Sequence, residues 1–165
     1  MPRASRVSVA ALLRQPGGSM PIALRFPFDE EDRLDETALP QYATRIDGDA
    51  EVVLNGELQH ASGALALVAK ASAPWHGECR RCTTDVHGTA EVELRERFMQ
   101  PEAAERDGDA YAIHDDQVDL GEVVLDNLLL AIPIAPLCRE DCAGLCSECY
   151  ADLNEGPCPH HPEGS

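Results

Sequence analysis

Seven cysteines in 165 residues fall into two groups: Cys79-x-x-Cys82, and Cys138, Cys142, Cys146, Cys149 and Cys158 in a stretch that closes on His160. No other feature limits the fold as tightly. Between Cys138 and Ser165 the large apolar residues are Leu145, Tyr150 and Leu153, too small a set to outweigh the entropy of ordering that tail. The tail needs a cross-link. An odd number of cysteines does not complete a disulfide framework, and in a reducing compartment closely spaced thiols point to metal. Cytoplasm is the expected location. Val7 to Leu13, between Arg6 and Arg14, is too short and wrongly flanked for a secretory signal. No apolar run is long enough for a bilayer, so no membrane partner is expected.

A structural zinc site takes four ligands in a tetrahedron, with sulfur about 2.3 Å from the ion. The eight candidates Cys79, Cys82, Cys138, Cys142, Cys146, Cys149, Cys158 and His160 suffice for two closed zinc sites. Cys146-x-x-Cys149 and Cys158-x-His160 lie close enough to close a knuckle locally, with Gly144 and Asn154-Glu155-Gly156-Pro157 supplying bends. Cys79-x-x-Cys82 and Cys138-x-x-x-Cys142 then close the second site across the fold. An alternative partition joins Cys79 and Cys82 to Cys146 and Cys149, leaving Cys138, Cys142, Cys158 and His160. His161 is an alternative to His160.

The segments before the tail read as α+β: an antiparallel β-meander or partly open barrel with one buried helix, followed by the cysteine-rich zinc-knuckle tail. Period-two alternation marks strands around Val52–Leu58, Leu65–Ala69 and Val86–Phe98, with turns at His60–Gly63 and after Trp75-His76-Gly77. The second turn carries the C-x-x-C near its tip. One face is expected to be covered and the other wet. Asp119 to Ile132 predicts a helix, capped by Asp119 with Glu122 and stopped by Pro133 and Pro136. Leu120, Val123, Val124, Leu125, Leu128, Leu129 and Leu130 make it apolar over most of its surface, hence buried against the sheet. Val7–Leu13 is a weak strand signal, Asp29–Glu36 a solvated acidic segment, and Gln100–Gln117 an acidic flexible connection. The expected organisation is an α+β domain over residues 1–137, with residues 1–40 poorly ordered, and a zinc-binding tail over 138–165 docked on the hairpin at 79–82.

Thirty acids against thirteen bases give a formal charge of -17, which disfavours extended contact with a phosphate backbone and favours basic partners. The four arginines at 3, 6, 14 and 25 precede the first acid, Asp29. Arg80 and Arg81 inside the C-x-x-C are candidates for partner binding; the plainer reading is that they offset the thiolates' charge. His76-Gly77-Glu78 imitates the H-x-E of nucleobase deaminases, but neither downstream C-x-x-C has the preceding proline. A redox role for Cys79 and Cys82 calls for a strand-to-helix setting, whereas the surroundings read as a hairpin. His60, His87 and His114 stand alone as surface or turn residues. No catalytic residues are assigned, and the chain is read as a non-enzyme.

Four pieces in order resemble the YceD family, named for accumulation of large-subunit ribosomal RNA. They are C-R-R-C at 79–82, D-L-G-E-V-V-L-D-N-L-L-L-A-I-P at 119–133, P-L-C-R-E-D-C-A-G-L-C-S-E-C at 136–149, and D-L-N before the closing cysteine. The family usually has glycine where Tyr150 stands and a final cysteine where His160 stands. The resemblance implies a non-enzymatic factor for accumulation, processing or stability of 23S rRNA in large-subunit assembly. Combined with the acidity, it implies a basic ribosomal protein or a pre-50S particle as partner. A direct RNA-binding zinc protein using Arg80 and Arg81 is the alternative, and a zinc or thiol redox enzyme a third reading.

Overall fold

The computed structural model describes residues 3–28 and 44–160. The acidic segment expected at 29–36 lies outside them, as does His161. In chain order the elements are a short 3-10 turn (Arg3–Ser5), β1 (Arg6–Ser8), α1 (Ala10–Leu13), β2 (Ser19–Pro27), β3 (Thr44–Arg45), β4 (Glu51–Ala61), β5 (Ala64–Glu78), β6 (Asp85–Met99), α2 (Pro101–Asp107), β7 (Tyr111–Ala112), β8 (Gln117–Asp119) and α3 (Leu120–Ala131).

Six strands form one sheet in the order β2-β4-β5-β6-β7, with β3 pairing β5 off that path; β1 and β8 form a separate two-stranded ladder. The meander of β4, β5 and β6 is antiparallel throughout, while β7 adds to β6 in parallel. The sheet is open. β2 and β7 end it on opposite sides and among the described residues no ladder joins them, so of the expected meander or partly open barrel the structure is an open sheet. A two-residue β7 offers too little backbone to pair onward.

Alternation along the long strands sets one face inward. Val52, Leu54 and Leu58 on β4 are buried beside Leu65, Leu67, Ala69, Ala71 and Ala73 on β5, and Ala90, Leu94 and Phe98 on β6. Register confirms the shared face: Leu58 pairs with Leu67, Leu54 with Ala71, and Leu65 with Phe98. Gly56 faces Ala69 at a place where any Cβ would stand 2.3 Å from that methyl, so the strands can meet there only over glycine.

α3 covers this face with Leu120, Val123, Val124, Leu125 and Leu128, while Leu130 is 86% exposed. The expected helix is thus present, but its apolar surface is wider than its buried one. Asp119 caps it, accepting from the N–H groups of Gly121 at 3.1 Å and Glu122 at 3.4 Å. The same carboxylate accepts from Ser5 Oγ and pairs with Arg6 Nε, each at 3.1 Å, which ties the N-terminal segment to the helix start.

Three stretches differ from expectation. Ser19–Pro27 is an edge strand, with Ile22 and Phe26 buried and Phe28 buried just beyond it; Pro21 and Pro27 interrupt the propensity, although an edge strand tolerates them. Gln100–Gln117 is not a flexible connection: Pro101 starts α2, Gly108 at φ 81° stops it, and β7 and β8 follow. Within Val7–Leu13, the strand is Arg6–Ser8 and the rest is one helical turn.

Candidate metal centre

β5 and β6 run past the edge of the core as a long hairpin whose tip is Cys79 to Thr84. The tip is closed by Cys79 N–H to Thr84 O at 2.8 Å and Thr83 N–H to Cys79 O at 2.9 Å, with Thr83 at φ 58°. This tight loop sets both tip sulfurs on one side. After α3, Pro133 and Pro136 prevent the helix from continuing, the chain bends at Ile134 and Ala135, and Pro136 O accepts from Arg80 N–H at 2.9 Å. The tail thereby arrives with Cys138 and Cys142 beside the tip.

Cys79, Cys82, Cys138 and Cys142 form a group whose sulfurs all lie within 4.8 Å of one another. Two of the separations are 3.8 Å (Cys79 to Cys142) and 3.6 Å (Cys82 to Cys138). A tetrahedron with bonds of about 2.3 Å has edges of about 3.8 Å, so these sulfurs have the spacing that a four-thiolate zinc site requires. Cys79, Cys82 and Cys142 are buried, with Val86, Leu137 and Leu145 packed against them. All seven cysteines are thiols.

Cys146, Cys149 and Cys158 form a second group, again within 4.8 Å. The loop that gathers them is short. Tyr150 N–H reaches Cys146 O at 2.9 Å, Cys146 N–H reaches Ala151 O at 2.9 Å, and Leu145 bridges Asp152. Tyr150 lies at φ 58°, a backbone region that favours glycine, at the position where the resembling family has one. His160 is exposed and does not belong to this group. Three sulfurs thus converge where four ligands were expected.

The thiols divide by environment. Burial pushes Cys79 up, yet N–H groups near Cys138, Arg81 and Cys82 outweigh it and bring the thiol down to about 6. The Thr84 side chain and backbone lower Cys82. Cys138 is pushed up to about 12, first by burial and then by its neighbours Cys142, Cys82 and Cys79. In the second group, backbone N–H groups of Cys149 and Glu148 bring Cys146 down to about 6. For Cys149, Ala151's backbone acts in the opposite sense, but Cys146 and burial prevail and raise it. Each cluster therefore holds a ready thiolate beside a thiol that resists a second charge, and a divalent cation would remove that conflict.

Arg81 is committed within the chain: its guanidinium donates to Cys142 O at 2.8 Å, and its carbonyl accepts from Leu145 N–H at 3.0 Å. Gly144, at φ 80°, passes so close that a Cβ would stand 3.1 Å from Arg81 O. Arg80 is exposed at the tip. Asn154, from the D-L-N piece, reads in the sequence only as part of a bend. Its amide lies against Cys142 Sγ and Asp152, with Ala143 and Arg139 on its oxygen.

The class so defined is an α+β protein in which an open sheet's longest hairpin shares a thiol cluster with a cysteine-rich tail. The profile of a family described as large ribosomal RNA subunit accumulation protein YceD matches residues 67–165, and the chain belongs to that family. An uncharacterized protein of Mycobacterium tuberculosis and one of Mycobacterium bovis are each 29% identical over 162 residues, covering 95% of this chain and 74% of the relative. A Mycobacterium leprae protein, also uncharacterized, is 34% identical over 113 residues, 66% of this chain and 52% of its own. No solved structure matches. No helix among the described residues is long and apolar enough to cross a membrane.

Proposed function

We propose that this protein is a non-enzymatic factor for accumulation of 23S ribosomal RNA, acting in large-subunit assembly through a basic ribosomal protein. The observation that carries the reading is the family match over residues 67–165, a span that includes the hairpin tip, α3 and the tail. Charge selects the kind of partner. At -17, the surface repels naked RNA at long range and attracts a cationic protein. Zinc, one ion in each cluster, would be structural: Cys79, Cys82, Cys138 and Cys142 hold the first, and Cys146, Cys149 and Cys158 hold the second, with His160 or His161 as fourth ligand. Such ions supply a charge that neutralises thiolates and a rigid cross-link. Arg80 and Arg81 are both exposed at the tip, but the Arg81 guanidinium is held by Cys142 O, which makes Arg80 the freer cation for a partner.

Competition binding tests this. The purified protein is titrated with a basic large-subunit protein and with naked 23S rRNA fragments over a salt series. Salt-sensitive binding to the protein, with RNA unable to compete, is expected. Binding to RNA alone, lost in Arg80→Ala, would replace this reading with direct RNA recognition.

A further inference from the structure

Asn154 belongs to the loop between Cys149 and Cys158, yet its side chain reaches the other cluster. Its Nδ2 lies 3.4 Å from Cys142 Sγ, within the range of an N–H···S hydrogen bond, and 2.6 Å from Asp152 Oδ1. Its Oδ1 accepts from Ala143 N–H at 2.8 Å and from Arg139 at 2.7 Å, which fixes which end of the amide faces the sulfur. Asp152 Oδ1 also accepts from Asn154 N–H at 2.9 Å, and Asp152 in turn bridges Leu145, the residue just before Cys146. Leu153 N–H to Gly144 O at 2.9 Å closes the same loop. Every one of these restraints depends on the knuckle being folded.

We propose that Asn154 is a positioning residue through which the knuckle cluster strengthens the hairpin cluster, by donating a hydrogen bond to the Cys142 sulfur. The inference rests on the metal reading above. A thiolate that accepts an N–H bond is stabilised in its charged, ligating form and held in one direction, so the donor acts on metal affinity without touching the metal. Because the donor is built by the knuckle, filling one cluster raises the affinity of the other, and the coupling is reciprocal. Asp152 serves by orienting Asn154. This gives the D-L-N piece a physical purpose: Asp152 aims, Asn154 donates, and Leu153 locks the loop.

The test uses the full chain, loaded in turn with Cd²⁺ and Co²⁺. The ¹¹³Cd resonances separate a four-sulfur cluster from a three-sulfur one, and chelator competition gives each affinity. In Asn154→Ala, the hairpin cluster is expected to lose about ten- to a hundredfold in affinity, the range typical of outer hydrogen bonds. Its ¹¹³Cd resonance and Co²⁺–thiolate charge-transfer band should shift, while the knuckle resonance stays in place. Asn154→Asp keeps the oxygen that Ala143 and Arg139 use but replaces the donor by a negative oxygen facing Cys142 and Asp152. The hairpin affinity should then fall at least as far as in Asn154→Ala and its resonance should again shift, while the knuckle resonance stays in place. Combining Asn154→Ala with Cys158→Ser should cost the hairpin cluster little more than Cys158→Ser alone. Two loaded clusters with an unchanged hairpin affinity and spectrum in both Asn154 variants would overturn the inference alone. A wild-type chain that takes up no metal would overturn the metal reading and this inference together.

Discussion

In the sheet, Leu54, Leu58, Leu65, Leu67, Leu94 and Phe98 are each no more than 1% exposed. In the tail from Cys138 to His160, the buried residues are Cys142, Gly144, Cys146 and Cys158. The first region is ordinary close packing, in which every methylene counts. The second has almost nothing to pack, and its sulfurs converge instead into groups that could hold metal ions. Each region fails in its own way: the sheet by losing volume, the tail by losing a ligand. The hairpin of β5 and β6 belongs to both, since its base lies in the core and its tip carries Cys79 and Cys82.

The largest effect that would sharpen this contrast is metal removal. Structural zinc contributes roughly 10–16 kcal/mol of apparent binding energy. Chelation under reducing conditions should therefore raise amide exchange across 138–160 and the tip at 79–84 to near-unfolded rates. β4 and the base of the hairpin should keep their protection. Uniform loss throughout would break the comparison. In the opposite direction, Leu67→Ala should cost about 2–5 kcal/mol in denaturant unfolding of the sheet. Metal stoichiometry should not change, as measured by elemental analysis of the folded fraction.

Acidity comes next in size. With Cys138 pushed up to about 12, binding at the hairpin cluster must displace its proton, so affinity should rise at least about tenfold per pH unit through neutrality. Below about 6 the thiols of Cys79 and Cys146 are protonated too, and affinity should fall more steeply. Chelator competition across pH 5 to 8 reads this, and a flat profile would contradict it. The smallest effect is at Tyr150, held at φ 58°. Tyr150→Gly should stabilise the loaded tail by up to about 1 kcal/mol, seen as slower metal release, because glycine takes that conformation without strain.

The meander and α3 were legible because their signals are local: alternation in β4, β5 and β6, and a capping Asp119 ahead of an apolar run. Spacing pointed to the observed grouping of cysteines, because Cys146, Cys149 and Cys158 lie close enough to close locally, but it also admitted Cys79 and Cys82 joining Cys146 and Cys149. Only the folded hairpin tip beside Cys138 and Cys142 selects between them. β2 was hidden by Pro21 and Pro27, although Ile22, Phe26 and Phe28 kept the alternation. α2 was hidden by the acidity of its segment, while its signals, Pro101 and Gly108, stood at its two ends. An open sheet rather than a partly open barrel depends on which strands lie at the edges, and no local pattern encodes that. Asn154 was visible as a motif but not as a donor to Cys142, because that contact forms only after the loop folds back.

Native mass spectrometry of the gently purified, reduced protein puts the central claim to its most direct test. A mass exceeding that of the polypeptide by two zinc ions, with tail protection lost when they are removed, is the predicted result. A metal-free mass accompanied by a protected, protease-resistant tail would contradict it.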